Sequence, residues 1–100
     1  MMPSTPLTET EIQRQLQELS GWVREGDAIQ KEFQLESYVA GLAFATAVGI
    51  VCEGLNHHPD MNIGWKKVTL RFTTHDAGSQ LTGSDFTTAA AVERLGYPHK

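Results

Sequence analysis

The sequence predicts a single α+β domain with the element order α-β-β-α-β-β-α, one four-stranded antiparallel sheet carrying three helices on one face. Three observations point there. Capping-box patterns at Thr8-Glu9-Thr10-Glu11 and Thr82-Gly83-Ser84-Asp85 open a helix near each end of the chain. An uncharged run rich in Ala and Gly, Ser37 to Cys52, supplies a helix between them. Short segments on both sides of that run alternate apolar and polar residues, as half-buried strands do.

Residues 1–6 are rich in Pro, Ser and Thr and read as a disordered tail, with the domain over 7–100. In the first helix Thr8 can accept from the Glu11 backbone while the Glu11 side chain reaches back. Ile12, Leu16 and Leu19 then form one stripe, and Ser20-Gly21 ends it. Trp22 to Glu25 and Ala28 to Leu35, joined by Gly26-Asp27, predict a hairpin. Ile29, Phe33 and Leu35 share one face of it, with Lys31 as an interruption.

Ser37 is the N-cap candidate of the central helix, which is expected to be buried and to run to about Asn56. Its stripe is Phe44, Val48, Val51 and Leu55, flanked by Ala40, Ala43 and Ala47. Gly41 and Gly49 lower helix propensity and predict close packing against a neighbour. Pro59 disfavours helical geometry at His58, so the helix must stop at or just before the two histidines. Met61 to Trp65 and Val68 to Thr74 predict two more strands, and Asp76-Ala77-Gly78-Ser79 a turn. The last helix, capped by Thr82, runs through Phe86, Ala89, Ala90 and Val92 to Leu95-Gly96, with Pro98 beyond.

A length of 100 residues allows one domain with a thin core. The net charge of −4 argues against nucleic acid or an acidic membrane as partner, since binding phosphates takes a basic surface. Lys66, Lys67 and Arg71 form a small basic cluster best read as a solvated face. Cys52 is alone, so no disulfide framework can form within the chain, which fits a cytoplasmic setting. The first residues have no basic region and apolar core of a signal peptide. The uncharged run is 16 residues long, short of the ~20 needed to cross a bilayer.

The chemistry concentrates in Glu53-Gly54-Leu55-Asn56-His57-His58-Pro59-Asp60. His57 and His58 sit at the negative end of a helix dipole, which favours the imidazolium form. Histidine titrates near neutral pH and suits general acid–base work. The bland alternative is that one histidine caps helix carbonyls and the other is exposed. His75, at a strand end, could converge with the pair, although strand parity places it with Thr69, Arg71 and Thr73 on the face away from the helices. Three histidines with Asp60 or Cys52 could hold zinc, but their spacing matches no usual ligand pattern and a protonated imidazole cannot ligate. No metal is expected. Trp22 and Trp65 could wall a flat ligand or be ordinary core aromatics. Asp85 reads as a capping partner rather than a catalyst, and Glu53, one helical turn before His57, could orient that imidazole. No phosphate loop, dinucleotide turn or serine-hydrolase elbow is present.

The spacing Glu53, three residues, His57-His58-Pro59, five residues, Trp65, nine residues, His75, nine residues, Asp85 resembles the signature of the pterin-4a-carbinolamine dehydratase family. Gly21-Trp22, Lys31-Glu32-Phe33-Gln34-Leu35, Thr74-His75-Asp76-Ala77-Gly78 and Leu81-Thr82 extend the resemblance over most of the chain. It implies a hydro-lyase that converts 4a-hydroxytetrahydropterin to quinonoid dihydropterin and water, recycling the pterin of aromatic amino-acid hydroxylases without a cofactor. Carried over by position, it implies catalytic roles for His57, His58 and His75, with His57 and His75 as the acid/base pair nearest the reacting centre. It implies substrate binding by Pro59, Asp60, Trp65, Trp22 and Thr74, and support from Glu53 and Asp85. Ser84 departs from many members, which carry a basic residue there, so substrate affinity is expected to differ. The resemblance also implies a homodimer or homotetramer. It leaves open a protein-binding role, because animal members bind a homeodomain transcription factor and some bacterial relatives resemble assembly chaperones.

Overall fold

A computed structural model describes residues 5–75, 78 and 80–97. The order is α1 (Glu9–Gln17), β1 (Val23–Glu25), β2 (Ala28–Gln34), α2 (Tyr38–Leu55), β3 (Asp60–Ile63), β4 (Lys67–Phe72) and α3 (Gly83–Glu93), as the sequence predicts. The strands form one antiparallel sheet in the spatial order β1-β2-β4-β3. Residues 1–4 of the expected tail lie outside the described residues. Pro6 forms a bridge with Thr82. The turn assigned to Asp76-Ala77-Gly78-Ser79 is described only at Gly78, whose amide donates to the His75 carbonyl. Pro98 also lies outside the described residues.

Local chemistry accounts for the helix starts. Thr8 and Glu11 close a reciprocal capping box on α1, Ser37 accepts from the Ala40 amide on α2, and Thr82 and Asp85 close a second box on α3. Ile12 and Leu19 are buried, as the first stripe requires.

The sheet separates two environments. Val68, Leu70 and Phe72 on β4 and Ile29 and Phe33 on β2 face the helices and are buried. The other face carries Gln30, Glu32, Gln34, Thr69, Arg71, Asp60 and Asn62 in cross-strand register. The basic cluster belongs to this solvated side: Lys67 approaches Glu32, Lys66 lies over the Trp65 ring, and Arg71 is exposed.

Lys31 breaks the apolar parity of β2 for a reason outside the strand. Its ammonium lies over the Phe33 ring, 4.8 Å from the centroid, and donates to Glu93 of α3 at 2.8 Å and to the Ser20 carbonyl. The same Glu93 oxygen accepts from the Trp22 indole at 2.9 Å. A half-buried ion pair thereby ties β2, α3 and the turn before β1 together.

Helix α2 differs from its expected burial. Its buried positions are Gly41, Phe44, Ala45, Val48 and Cys52, so the stripe runs through Cys52 while Val51 is half-buried and Leu55 exposed. The opposite side presents Val39 at 71% and Ile50 at 69% exposure. The sheet and α3 contact one side of the helix, and a run apolar all round therefore leaves apolar residues outside. By length and composition α2 could also cross a membrane, with a mean hydropathy of 1.7 over 18 residues. Here it packs through Phe44, Val48 and Cys52 into the core beneath the sheet. Gly41 and Gly49 face neighbours, but with room for a side chain: a methyl group would meet Val68 at 3.6 Å and Met61 at 3.9 Å, both ordinary contacts.

Candidate active site

The backbone at the end of α2 sets the site. Asn56 adopts the left-handed conformation (φ 53°) as C-cap, and its amide and that of His57 donate to the last-turn carbonyls. This pivot ends the 3.6-residue periodicity, so His57 no longer lies above Glu53. His57 swings across to α3, where its Nε2 lies 2.6 Å from Asp85 Oδ1. His58 takes Glu53 instead, its Nε2 2.7 Å from Glu53 Oε1. The expected pairing of Glu53 with His57 is thus corrected: the two neighbouring histidines have different carboxylates.

The two pairs have different surroundings. The Asp85 side chain is wholly buried and that of His57 is 13% exposed, whereas those of His58 and Glu53 are 56% and 79% exposed. The His57 ring lies parallel to that of Phe72, at a centroid distance of 6.0 Å and an interplanar angle of 12°. Phe72 in turn contacts Trp22 at 5.7 Å. Trp22 is 5% exposed, within the core, and backs the site through Phe72.

Asp85 does more than cap. Its Oδ2 accepts from the Thr82 amide at 2.9 Å and from the Thr74 hydroxyl at 2.8 Å, while Oδ1 faces His57. Placed in the first turn of α3, the carboxylate is also favoured by the positive end of that helix dipole. The expectation of a capping partner is half of its role. Thr74 is 4% exposed with its hydroxyl committed to Asp85, so that hydroxyl faces inward and away from solvent.

Strand parity does not extend to His75. Strand β4 ends at Phe72, and Thr73 and Thr74 are both buried, with the Thr73 hydroxyl donating to the Asp27 carbonyl at 2.6 Å. His75 follows as an exposed residue at the start of the next turn, one position after the Asp85 ligand Thr74. No hydrogen bond joins it to His57 or His58 among the described residues. Pro59 is half-buried beside the pair, and Asp60 is exposed at the first position of β3, opposite Arg71. Trp65 is elsewhere: it is 74% exposed in the β3–β4 turn, at the far end of the hairpin from Asp60. Ser84 is buried, so this position in the first turn of α3 points inward.

Two residues of the site were not singled out by sequence reasoning. Phe72, the wall behind His57, was visible only as the last apolar position of its strand. Thr82 was visible as an N-cap but not as part of the network on Asp85. No group of three or more His, Cys, Asp or Glu suited to a metal is present among the described residues. An open groove of about 300 Å³ lies between α1 and α3, lined by residues that include Gln15, Leu19, Phe86 and Arg94, and no histidine lines it.

The arrangement offers an imidazole held by a buried carboxylate, flat against an aromatic ring, with a second, solvated imidazole next to it. Such a site can donate and accept protons on a small polar molecule. Comparison with known proteins gives the same direction. The sequence model of the family described as pterin 4 alpha carbinolamine dehydratase matches residues 5–95. A Roseiflexus castenholzii protein named provisionally as a pterin-4-alpha-carbinolamine dehydratase is 46% identical over 89 residues, covering 89% of this chain and 95% of that one. A Natronomonas pharaonis protein of the same provisional name is 46% identical, covering 92% and 97%. The crystal structure titled transcriptional coactivator/pterin dehydratase from Brucella melitensis aligns with a TM-score of 0.84 at 25% identity, over 91% of this chain and 98% of that one. A pterin dehydratase-like protein identified as a RuBisCO assembly factor in the alpha-carboxysome aligns with a TM-score of 0.64 at 25% identity, over 77% and 90%.

Proposed function

The chain belongs to the pterin 4 alpha carbinolamine dehydratase family, and from that premise we propose that it is a working hydro-lyase that dehydrates 4a-hydroxytetrahydropterin to quinonoid dihydropterin. In this step the C4a–O bond breaks and the hydroxyl leaves as water after taking a proton from an acid. N5 gives its proton to a base, and the electron pair of that N–H bond becomes the N5=C4a double bond. No electrons are exchanged with a cofactor.

The single observation that supports catalysis is the His57–Asp85 pair: a 2.6 Å contact to a fully buried carboxylate beside an aromatic wall. The carboxylate holds the imidazole in one orientation on a rigid helix start, which a proton-transferring group requires. His57 is the proton-transferring group closest to the fold's rigid elements, His58 assists, and His75 supplies the second acid or base from the neighbouring turn. Pro59, Asp60 and Thr74 frame the site. Trp22 supports it through Phe72, and Trp65 takes part only through a neighbouring copy, since its own turn is at the far end of the hairpin.

The test is to generate the 4a-hydroxytetrahydropterin and follow its decay with and without the protein. Acceleration that is lost in His57→Ala and His75→Ala is expected. No acceleration, or full activity in both variants, would refute the assignment.

A second reading has its own observation. The exposed apolar side of α2, with Val39, Leu42 and Ile50, favours association. We propose a homodimer or homotetramer in the cytoplasm. A protein-binding role alongside the reaction is compatible with the names of the two similar structures.

A further inference from the structure

Thr82, Thr74 and Asp85 form a chain whose direction is fixed by valence. The Thr74 hydroxyl has one proton, and it points at Asp85 Oδ2, 2.8 Å away. In the contact between Thr74 and Thr82, 2.7 Å long, Thr82 must therefore be the donor. The Thr82 oxygen meanwhile accepts from the Ser84 amide at 3.2 Å, a backbone donor that cannot reverse. Every proton in the chain runs toward the carboxylate. With the Thr82 amide also on Oδ2, Asp85 receives two donors on one oxygen before His57 is counted. All three side chains are at most 4% exposed, so no water competes for these bonds.

That leaves Oδ1 as an acceptor, and His57 Nε2 faces it. The other ring nitrogen, Nδ1, has no protein partner among the described residues. No buried side-chain N or O atom there lacks a partner, so Nδ1 must reach solvent. We infer that Thr74 and Thr82 are positioning residues: their one-way donor chain keeps Asp85 an acceptor, fixes the resting proton of His57 on Nε2, and leaves Nδ1 as the nitrogen that exchanges a proton with substrate. The proton exchange rests on the dehydratase reading above; the position of the resting proton does not. Without the Thr74 donor, Oδ2 keeps only the Thr82 amide and the carboxylate is free to turn, so its hold on the Nε2 proton loosens and the Nδ1–H tautomer becomes accessible.

The test combines a spectrum with kinetics on the full chain. Long-range ¹H–¹⁵N correlation of ¹⁵N-histidine-labelled protein distinguishes the two neutral tautomers of His57. Wild type should show Nε2–H with a proton-free Nδ1. In Thr74→Val the two tautomers should mix and kcat should fall about five- to tenfold with a smaller change in KM, because the buried Thr74 hydroxyl is committed to Asp85. Thr74→Ser should restore both. The wild-type spectrum needs no substitution and decides the proton's position even if Thr74→Val fails to fold. A wild-type Nδ1–H tautomer overturns the inference, and so does a folded Thr74→Val with wild-type kcat and unmixed Nε2–H. An inactive wild type with Nε2–H sinks the dehydratase reading while the fixed tautomer stands.

Discussion

Replacing Asp85 by Asn separates what this side chain does for the fold from what it does for His57. The amide oxygen can occupy the Oδ2 position, where it still accepts from the Thr82 amide and the Thr74 hydroxyl. The α3 capping box therefore survives. The amide nitrogen then faces His57, and the imidazole must become the acceptor through Nε2. One hydrogen bond to a charged group, about 1.5–3 kcal/mol, is exchanged for a neutral one of about 1 kcal/mol. The expected net loss is about 1–2 kcal/mol, or about 5–15 °C in Tm for a domain of this size. Asp85→Ala instead leaves Thr82, Thr74 and His57 without their acceptor in a fully buried place. The cap and the unsatisfied donors together should cost about 3–5 kcal/mol. Activity should respond differently. Asn places the His57 proton on the wrong nitrogen, so kcat should fall by at least about 100-fold although the protein stays folded. Urea unfolding of the three proteins and the dehydratase assay on the two folded ones give the comparison. An Asn variant with wild-type kcat, or one as unstable as the Ala variant, would refute the reasoning.

Other expectations follow from the same structure. Glu53→Gln removes an exposed partner of His58, so the unfolding free energy from urea titration should fall by no more than about 0.5–1 kcal/mol; a larger loss would refute an exposed, weakly coupled pair. Burial pushes the Cys52 thiol up from 9.0 to about 11. Its folded pKa is above its unfolded one, so its contribution is complete below pH ~9 and is lost as pH rises toward 11, about 2–3 kcal/mol in all. Unfolding free energies measured from pH 8 to 11 should show that slope, and Cys52→Ala should flatten it. Hydrogen bonds from Arg24 to Glu9 and from the Thr8 backbone to Glu11 lower both carboxyls. Their contribution is present above the usual carboxylate range and is lost as pH falls, so Glu9→Gln with Glu11→Gln should shallow the acid limb of the stability profile. Gly54 is helical and a methyl group on it meets nothing within 4 Å, so Gly54→Ala should stabilise by about 0.5–1 kcal/mol in thermal unfolding.

The helix starts were legible in the sequence because capping is local: three residues suffice at Thr8, Ser37 and Thr82. The strands were legible because one face of the sheet is solvated, so polar residues mark every second position of β4. The stripe of α2 was not, since a helix apolar all round carries no record of which side will meet the sheet. The same holds for the site. The spacing of His57, His58, His75 and Asp85 was readable, but the partner of each histidine depends on the left-handed turn at Asn56, a backbone event that helical periodicity cannot anticipate. Lys31 looked like a flaw in a strand until α3 supplied Glu93, 62 residues away.

The pivot at Asn56 also divides the two histidines in time. His58 and Glu53 are five residues apart and can meet as soon as α2 forms. His57 and Asp85 are 28 residues apart, with the whole β3–β4 hairpin between them. On a ribosome the first pair can exist while the second is still unmade, and local opening of α3 dissolves the second without disturbing the first. The His57–Asp85 pair is thus a late product of folding, so on the proposed function catalytic competence would report on the intact domain rather than on any part of it.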